Sequence, residues 1–222
     1  MGRATGSPFW LLPYAVGVLE FDHILCFVPA DGGWVQRLEQ SGWGLDAGVR
    51  HEGQGTRNRR VHWPDCYLEL LWVEDRRTAA SNPLRLDRRA EWTCSGASPF
   101  GIVLRGEVPP SVQRDYWPYD RFGFPLWIHR DNEQDATRPL VVIHESSEEE
   151  RGGLRPSARV PQLVDPNAGR LSSIRLTGPS PAACPPFIGP ALTQQTGPPQ
   201  MHLIISGQGP TLQVTDLLTL ST

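Results

Sequence analysis

The chain has 222 residues, 39% of them hydrophobic and 20% charged, with a formal net charge of -3. This is enough chain to bury a real core, and the charge balance offers no electrostatic footprint for nucleic acid or an anionic membrane surface. All 21 basic residues are arginine, which excludes a Schiff-base lysine and a lysine phosphate clamp.

Residues 1–18 read as an extension ahead of the fold, disordered or an over-called start, rather than a signal peptide. Pro8 and Pro13 interrupt its apolar stretch and no small-residue cleavage site follows. No apolar run reaches the roughly 20 residues that a bilayer span needs. Cysteines at 26, 66, 94 and 184 show no C-x-x-C spacing, so reduced thiols in a cytoplasm are their simplest account.

The segment "LEFDHILCFVP", 19 to 29, reads as a strand, and alternation puts Phe21, His23, Leu25 and Phe27 on one face. Asp31 is the expected N-cap of a helix whose stripe is Trp34, Val35 and Leu38, with Gly42 as the stop. Strands are expected at 43–51, 57–63 and 67–73, joined by "EGQGT" and by the turn signal "PDC". Residues 19–75 thus form a β-α-β-β-β module. A two-residue hairpin at Pro64 and Asp65 sets Trp63 opposite Cys66, His62 opposite Tyr67, Val61 opposite Leu68 and Arg60 opposite Glu69. One face then carries Asn58, Arg60, His62, Tyr67 and Glu69, the composition of a lined pocket. The other carries Val61, Leu68, Leu70 and Trp72 and packs the helix.

Glu69 lies between Leu68 and Leu70 in an apolar strand. Taking a carboxylate out of water there costs several kcal/mol unless it is paired, protonated or metal-bound. Two readings stand open: a cross-strand ion pair with Arg60, and ligation of a metal. His51 and Glu52 read as a solvent-facing hairpin tip.

Residues 76–97 read as a charged connection. A second module is expected over 98–146, with strands at 100–106, 122–130 and 138–146 and a weak helix. Residues 147–169 are a polar run expected to be a mobile linker, with "EEE" as solvated surface. Residues 170–222 read as a β-α-β-β piece whose helix is "FIGPALTQQ".

The combination of Asp22-His23 in the first strand, "GQGTRNR" in the hairpin and "YLEL" in the fourth strand resembles the glyoxalase-like branch of the vicinal oxygen chelate superfamily. The resemblance is strongest over 19–75, weaker over 98–146 and weakest over the tail. It implies an α+β fold in which repeated β-α-β-β-β modules form a curved mixed sheet with a concave pocket. It also implies metal ligands at His23 and Glu69, with His144 at the last-strand position of the second module. The first-strand equivalent there lies near Gly101, which cannot ligate; if the tail were the pairing module, the equivalents would be Ser173 and Gln213, which are poor ligands.

A set of two histidines and one carboxylate suits Fe, Mn, Zn or Ni with open positions. The implied activity is that of a lyase, isomerase or dioxygenase acting on a small molecule with adjacent oxygens. In that scheme His62 and Glu145 are candidates for proton transfer, and Asn58, Arg60, Tyr67 and Trp127 line the pocket. The alternative is a metal-free protein of the same fold that sequesters a small molecule, which the missing ligands favour. For His23 a satisfied core histidine is the plain structural reading, and a one-residue slip in the last strand would turn Glu145 inward in place of His144. A homodimer is implied by the resemblance only.

Overall fold

The computed structural model describes residues 18–120, 126–164, 169–207 and 211–222, so the reading of the leading extension lies outside the described residues. Strand β1 (Glu20–Phe27) leads to helix α1 (Gly33–Gln40) and strands β2 (Arg50–His51), β3 (Thr56–His62) and β4 (Tyr67–Val73). The connection holds three short helices, α2 (Arg76–Ser81), α3 (Leu86–Ala90) and α4 (Trp92–Ser95). The pattern then recurs as β5 (Phe100–Arg105), α5 (Pro110–Gln113), β6 (Tyr116–Tyr119), β7 (Leu126–His129), α6 (Asp131–Gln134) and β8 (Leu140–His144). The eight strands form one sheet in the order β2-β3-β4-β1-β5-β8-β7-β6. Exchanging the two modules leaves that order unchanged, with β1 and β5 antiparallel at the centre and β1–β4 and β5–β8 parallel on either side.

The expected β3–β4 register holds: Arg60 pairs with Glu69, Val61 with Leu68 and His62 with Tyr67. The β4 face bearing Leu68 and Leu70 packs with Val61 beneath α1, whose Trp34 and Leu38 are buried. Asp31 does not cap that helix. Gly32 does, in the left-handed region at φ 72, while Asp31 only accepts a long 3.4 Å bond from Gly33 N–H.

Strand β2 is a remnant of the expected 43–51 strand. Asp46 Oδ1 accepts the backbone N–H of Arg60 at 2.8 Å and of Gly48 at 3.0 Å, so a side chain takes the place of a ladder partner. Gly48 has φ +68, and a Cβ there would stand 1.7 Å from the carbonyl oxygen of Asn58.

β1 departs from strict alternation. A register shift between Phe21 and His23 turns Phe21 into the core on the helix side, and consecutive residues Asp22 and His23 both reach the opposite, concave face.

The polar run after β8 is helical rather than a free linker. Ser147 and Glu150 form a capping box at the start of α7 (Glu148–Leu154), where three glutamates also complement the helix dipole. Helix α8 (Pro156–Arg159) and a 3-10 turn (Pro161–Leu163) follow. This strap is tied down by Arg151 and Arg155 on Glu20, at 3.6 and 3.1 Å, and by Ser157 N–H on the Pro64 carbonyl.

The tail is a second sheet of β9 (Arg170–Gly178), β10 (Ala191–Thr196), β11 (Gln200–Ser206), β12 (Leu212–Gln213) and β13 (Leu218–Ser221), ordered β10-β9-β11-β13-β12. The expected helix at "FIGPALTQQ" is strand β10, parallel to β9, because sheet pairing outweighs a weak helical pattern behind Gly189 and Pro190. Ile174, Leu203 and Leu218 of this sheet share a core with Ile24, Ile102 and Ile143, so the tail covers the face of the main sheet opposite the concave one. The four cysteines are free, and no described helix is long and apolar enough to cross a membrane.

Gly48→Ala forces a left-handed backbone onto a side chain with no room for it, and is expected to lower stability by about 2 kcal/mol or more, or about 4–8 °C in Tm. A thermal unfolding scan checks this, and an unchanged Tm would contradict the Asp46 loop as described.

Candidate functional site

The concave face holds a cavity of about 470 Å³, lined by both modules and by the connection between them. Glu69 sits at its polar end, 8% exposed. The Arg60 partnership expected from the register does not form. Arg60 turns to Asp46, with Nε 2.5 Å from Oδ2, because the Asp46 loop runs alongside β3 and already bonds the Arg60 backbone.

Glu69 has three other partners. His23 Nε2 is 3.4 Å from Oε2, His51 Nε2 is 3.7 Å from Oε1, and Asn58 Nδ2 donates to Oε1 at 2.5 Å. The Asn58 amide is oriented by the Val49 backbone N–H, which donates to its Oδ1 at 2.8 Å.

Each histidine is held from behind. Asp22 Oδ1 lies 2.9 Å from His23 Nδ1, and Tyr67 stacks on the His23 ring at 4.2 Å. Thr56 Oγ1 lies 3.0 Å from His51 Nδ1, leaving His51 Nε2 to face Asn58 and Glu69. Burial alone would suppress the charge on His23, but the hydrogen bonds it donates to Asp22 and Glu69 and their negative charges raise its pKa above the usual 6.5. Burial would likewise raise Glu69, and the His23 contact with its charge, followed by His51 and Asn58, instead holds it below the usual 4.5. Asp22 is kept ionised against burial by His23 and by Arg105, 3.5 Å away. His51 is dominated by burial and shifts down, toward the neutral imidazole.

His144 reaches the same cavity from β8, where burial also lowers its pKa. Asn58, Arg60 and Tyr67 line the cavity as expected. The remaining expected residues are not brought to it. His62 is 5% exposed, lies outside the lining and binds Asp46 Oδ2 at 3.1 Å. Glu145 accepts from Trp127 Nε1 at 2.9 Å, and Trp127 packs toward the helix-side core, so this pair belongs to the other face of the sheet.

His51 and Asp22 were missed for opposite reasons. His51 sits in a hairpin tip that looks exposed in sequence, yet its side chain is only 16% exposed; its pairing with Thr56 across the "EGQGT" turn is the available signal. Asp22 belongs to the Asp22-His23 motif but was given no role, since strict alternation points it away from His23. Beyond the polar end, Leu25, Val103, Leu140, Val142 and Ile128 make an apolar wall. Gly101 belongs to it: a Cβ there would meet the Leu25 and Leu140 side chains at 2.8 and 3.0 Å.

A family model described as glyoxalase-like domain matches residues 21–148. The chain belongs to the glyoxalase-like domain family. A hypothetical protein from Staphylococcus aureus superposes with a TM-score of 0.59 at 11% identity, covering 92% of this chain and 100% of that one. Methylmalonyl-CoA epimerase in complex with methylmalonyl-CoA and NH4+ gives a TM-score of 0.41 at 15% identity over 58% of this chain and 95% of its own. The Mycobacterium tuberculosis epimerase gives 0.40 at 12% identity over 60% and 91%. No curated protein matches. The architecture is the vicinal oxygen chelate fold.

Among the described residues no group of three or more His, Cys, Asp and Glu side chains is already arranged to hold a metal ion. The donor types still suit a divalent cation. His23 Nε2 and the Glu69 carboxylate face each other, and the Asp22 contact behind His23 is the carboxylate–histidine arrangement that orients metal-bound imidazoles.

In metal-free protein the His23 contribution to stability is complete below pH 6.5 and is lost as pH rises through its raised folded-state value. That of Glu69 is complete above pH 4.5 and is lost as pH falls through its depressed value, so the pair contributes most between pH 4.5 and 6.5. NMR titration of the imidazoles should find His23 still protonated at neutral pH, and Glu69→Gln should lower its pKa by about one unit or more. A His23 that titrates at its ordinary value in both proteins would contradict the pairing.

Proposed function

We propose that this glyoxalase-like protein binds a small oxygenated molecule in its concave cavity and acts on it as a divalent-metal-dependent lyase, isomerase or dioxygenase. The observation that carries the reading is the His23–Glu69 pair, 3.4 Å apart at the cavity's polar end with Asp22 behind His23. His23 and Glu69 would hold the cation, and His144, facing the same cavity from the second module, would add a donor. A bound divalent ion supplies Lewis-acid polarisation of a carbonyl or enediolate oxygen.

The rest of the chemistry belongs to the side chains. Asp22 fixes the His23 ring so that Nε2 points into the cavity. Tyr67, stacked on that ring and kept protonated by burial, shields it from water. His51 takes the proton-transfer role first assigned to His62 and Glu145. Its pKa is shifted down and its Nε2 faces the polar end, so it presents a basic nitrogen at neutral pH.

A second reading is a metal-free binding protein, and a specific observation favours it. The second module presents Gly101, Val103 and Val142 where the first presents His23 and Glu69, and a protonated His23 neutralises Glu69 without any metal. The cysteines at 26, 66, 94 and 184 are free, which supports a reducing compartment such as the cytoplasm in either reading.

Equilibrium dialysis against Mn, Fe, Zn or Ni followed by elemental analysis decides between the readings. Near-stoichiometric metal in the wild type, lost in His23→Ala and Glu69→Gln, is expected. No retained metal with any of the four ions would leave the metal-free reading.

A further inference from the structure

Three arginines line the cavity; Arg50 is engaged by Glu74, and the other two, Arg60 and Arg159, are not used by Glu69. Arg60 gives its Nε to Asp46, and no described residue accepts from its terminal nitrogens. Its Cζ stands 5.7 Å from the centre of the Tyr67 ring, on the wall that also bears His23. Arg159, the last residue of α8, lines the same cavity and has no side-chain partner among the described residues. Its charge is felt inward, at Tyr67, where burial still raises the pKa, and at His144, where it adds to the lowering by burial. The position is built: Arg155 on Glu20 and Ser157 on the Pro64 carbonyl, each at 3.1 Å, dock the strap that ends at Arg159.

The charge balance of this end favours one negative charge. Asp22 and Glu69 share His23, and Arg50 is taken by Glu74 at 2.6 Å. Arg60 gives only its Nε to Asp46, Arg159 has no side-chain acceptor among the described residues, and Glu52 also borders the cavity. A monoanion satisfies two guanidiniums with good forked geometry, whereas a dianion would meet repulsion from Glu69, Asp22 and Glu52. Away from this end the wall is Val103, Leu126, Ile128, Leu140 and Val142, which offers nothing to a second charge.

We propose that the cavity is specific for compact amphipathic monocarboxylates, with Arg159 and Arg60 taking the carboxylate and the second module's wall taking the apolar body. This deepens the small-molecule reading above and rests on its cavity, but not on its cation.

Calorimetric titration in chelator tests it with 3-phenylpropanoate, its primary amide and acetate. The acid binds saturably, while the amide, lacking the charge, and acetate, lacking the apolar body, bind at least about tenfold more weakly. Arg159→Gln weakens the acid by roughly ten- to hundredfold, leaving amide binding and thermal stability unchanged. An amide that binds as tightly as the acid, an unaffected Arg159→Gln variant, or the absence of saturable heat with the acid would overturn the proposal. Acid binding that persists in a protein retaining no metal sinks only the cation reading; retained metal without discrimination between acid and amide sinks only this one.

Discussion

A carboxylate held almost out of water in the middle of a strand sets the terms for everything around it. Leaving Glu69 ionised at that depth costs several kcal/mol unless its oxygens are matched by donors in good geometry. Two pieces of chain supply donors, β1 through His23 and β3 through Asn58, and the hairpin sets His51 beside them, 3.7 Å from Glu69. Asn58 stands in a regular stretch of β3, while the rest of the arrangement depends on departures from a regular sheet. The β1 register shift brings Asp22 and His23 to one face, and the left-handed Gly48 lets the Asp46 loop run against β3 and draw Arg60 away from Glu69. The irregularities of the first module are therefore the means by which a buried charge is satisfied.

The two modules share a strand order but not a chemistry. The first lines the cavity with ionisable and amide groups; the second lines it with Val103, Leu140, Val142 and Ile128, and the connection adds Leu84 and Leu86. Gly101 shows how far the second half has moved toward packing, since the missing Cβ is what allows Leu25 and Leu140 to close over it. The register sharpens this contrast. Leu25 lies beside Glu69 and Val103 beside Val142, so matching His23 to Gly101 puts Val142 at the Glu69 position, and matching Glu69 to His144 puts Val103 at the His23 position. In neither alignment does the second module offer a first-strand ligand. One half of the cavity is thus polar and the other apolar.

Much of this was legible in the sequence where the signal was local. The Pro64–Asp65 turn fixed the β3–β4 register, and Glu69 announced itself as a charge in an apolar strand. Of the two readings left open for it, the ion pair with Arg60, directly opposite by register, does not form. The competing claim from Asp46 depends on a loop conformation that no periodicity encodes. His51 looked exposed for the same reason. Tail residues 187–195 read as a weak helix because their pairing partner β9 lies remote in the chain, and the polar run at 147–159 read as a linker although its Ser147–Glu150 capping box was written in the sequence.

The central claim is that His23 and Glu69 act as one buried unit. A double-mutant cycle of His23→Gln and Glu69→Gln, followed by urea unfolding in chelator at pH 6, tests it most directly. A coupling energy above about 1 kcal/mol is predicted, with the double variant less destabilised than the sum of the single ones. Single-variant effects that add to within about 0.3 kcal/mol would contradict it and return Glu69 to being a carboxylate with no privileged partner.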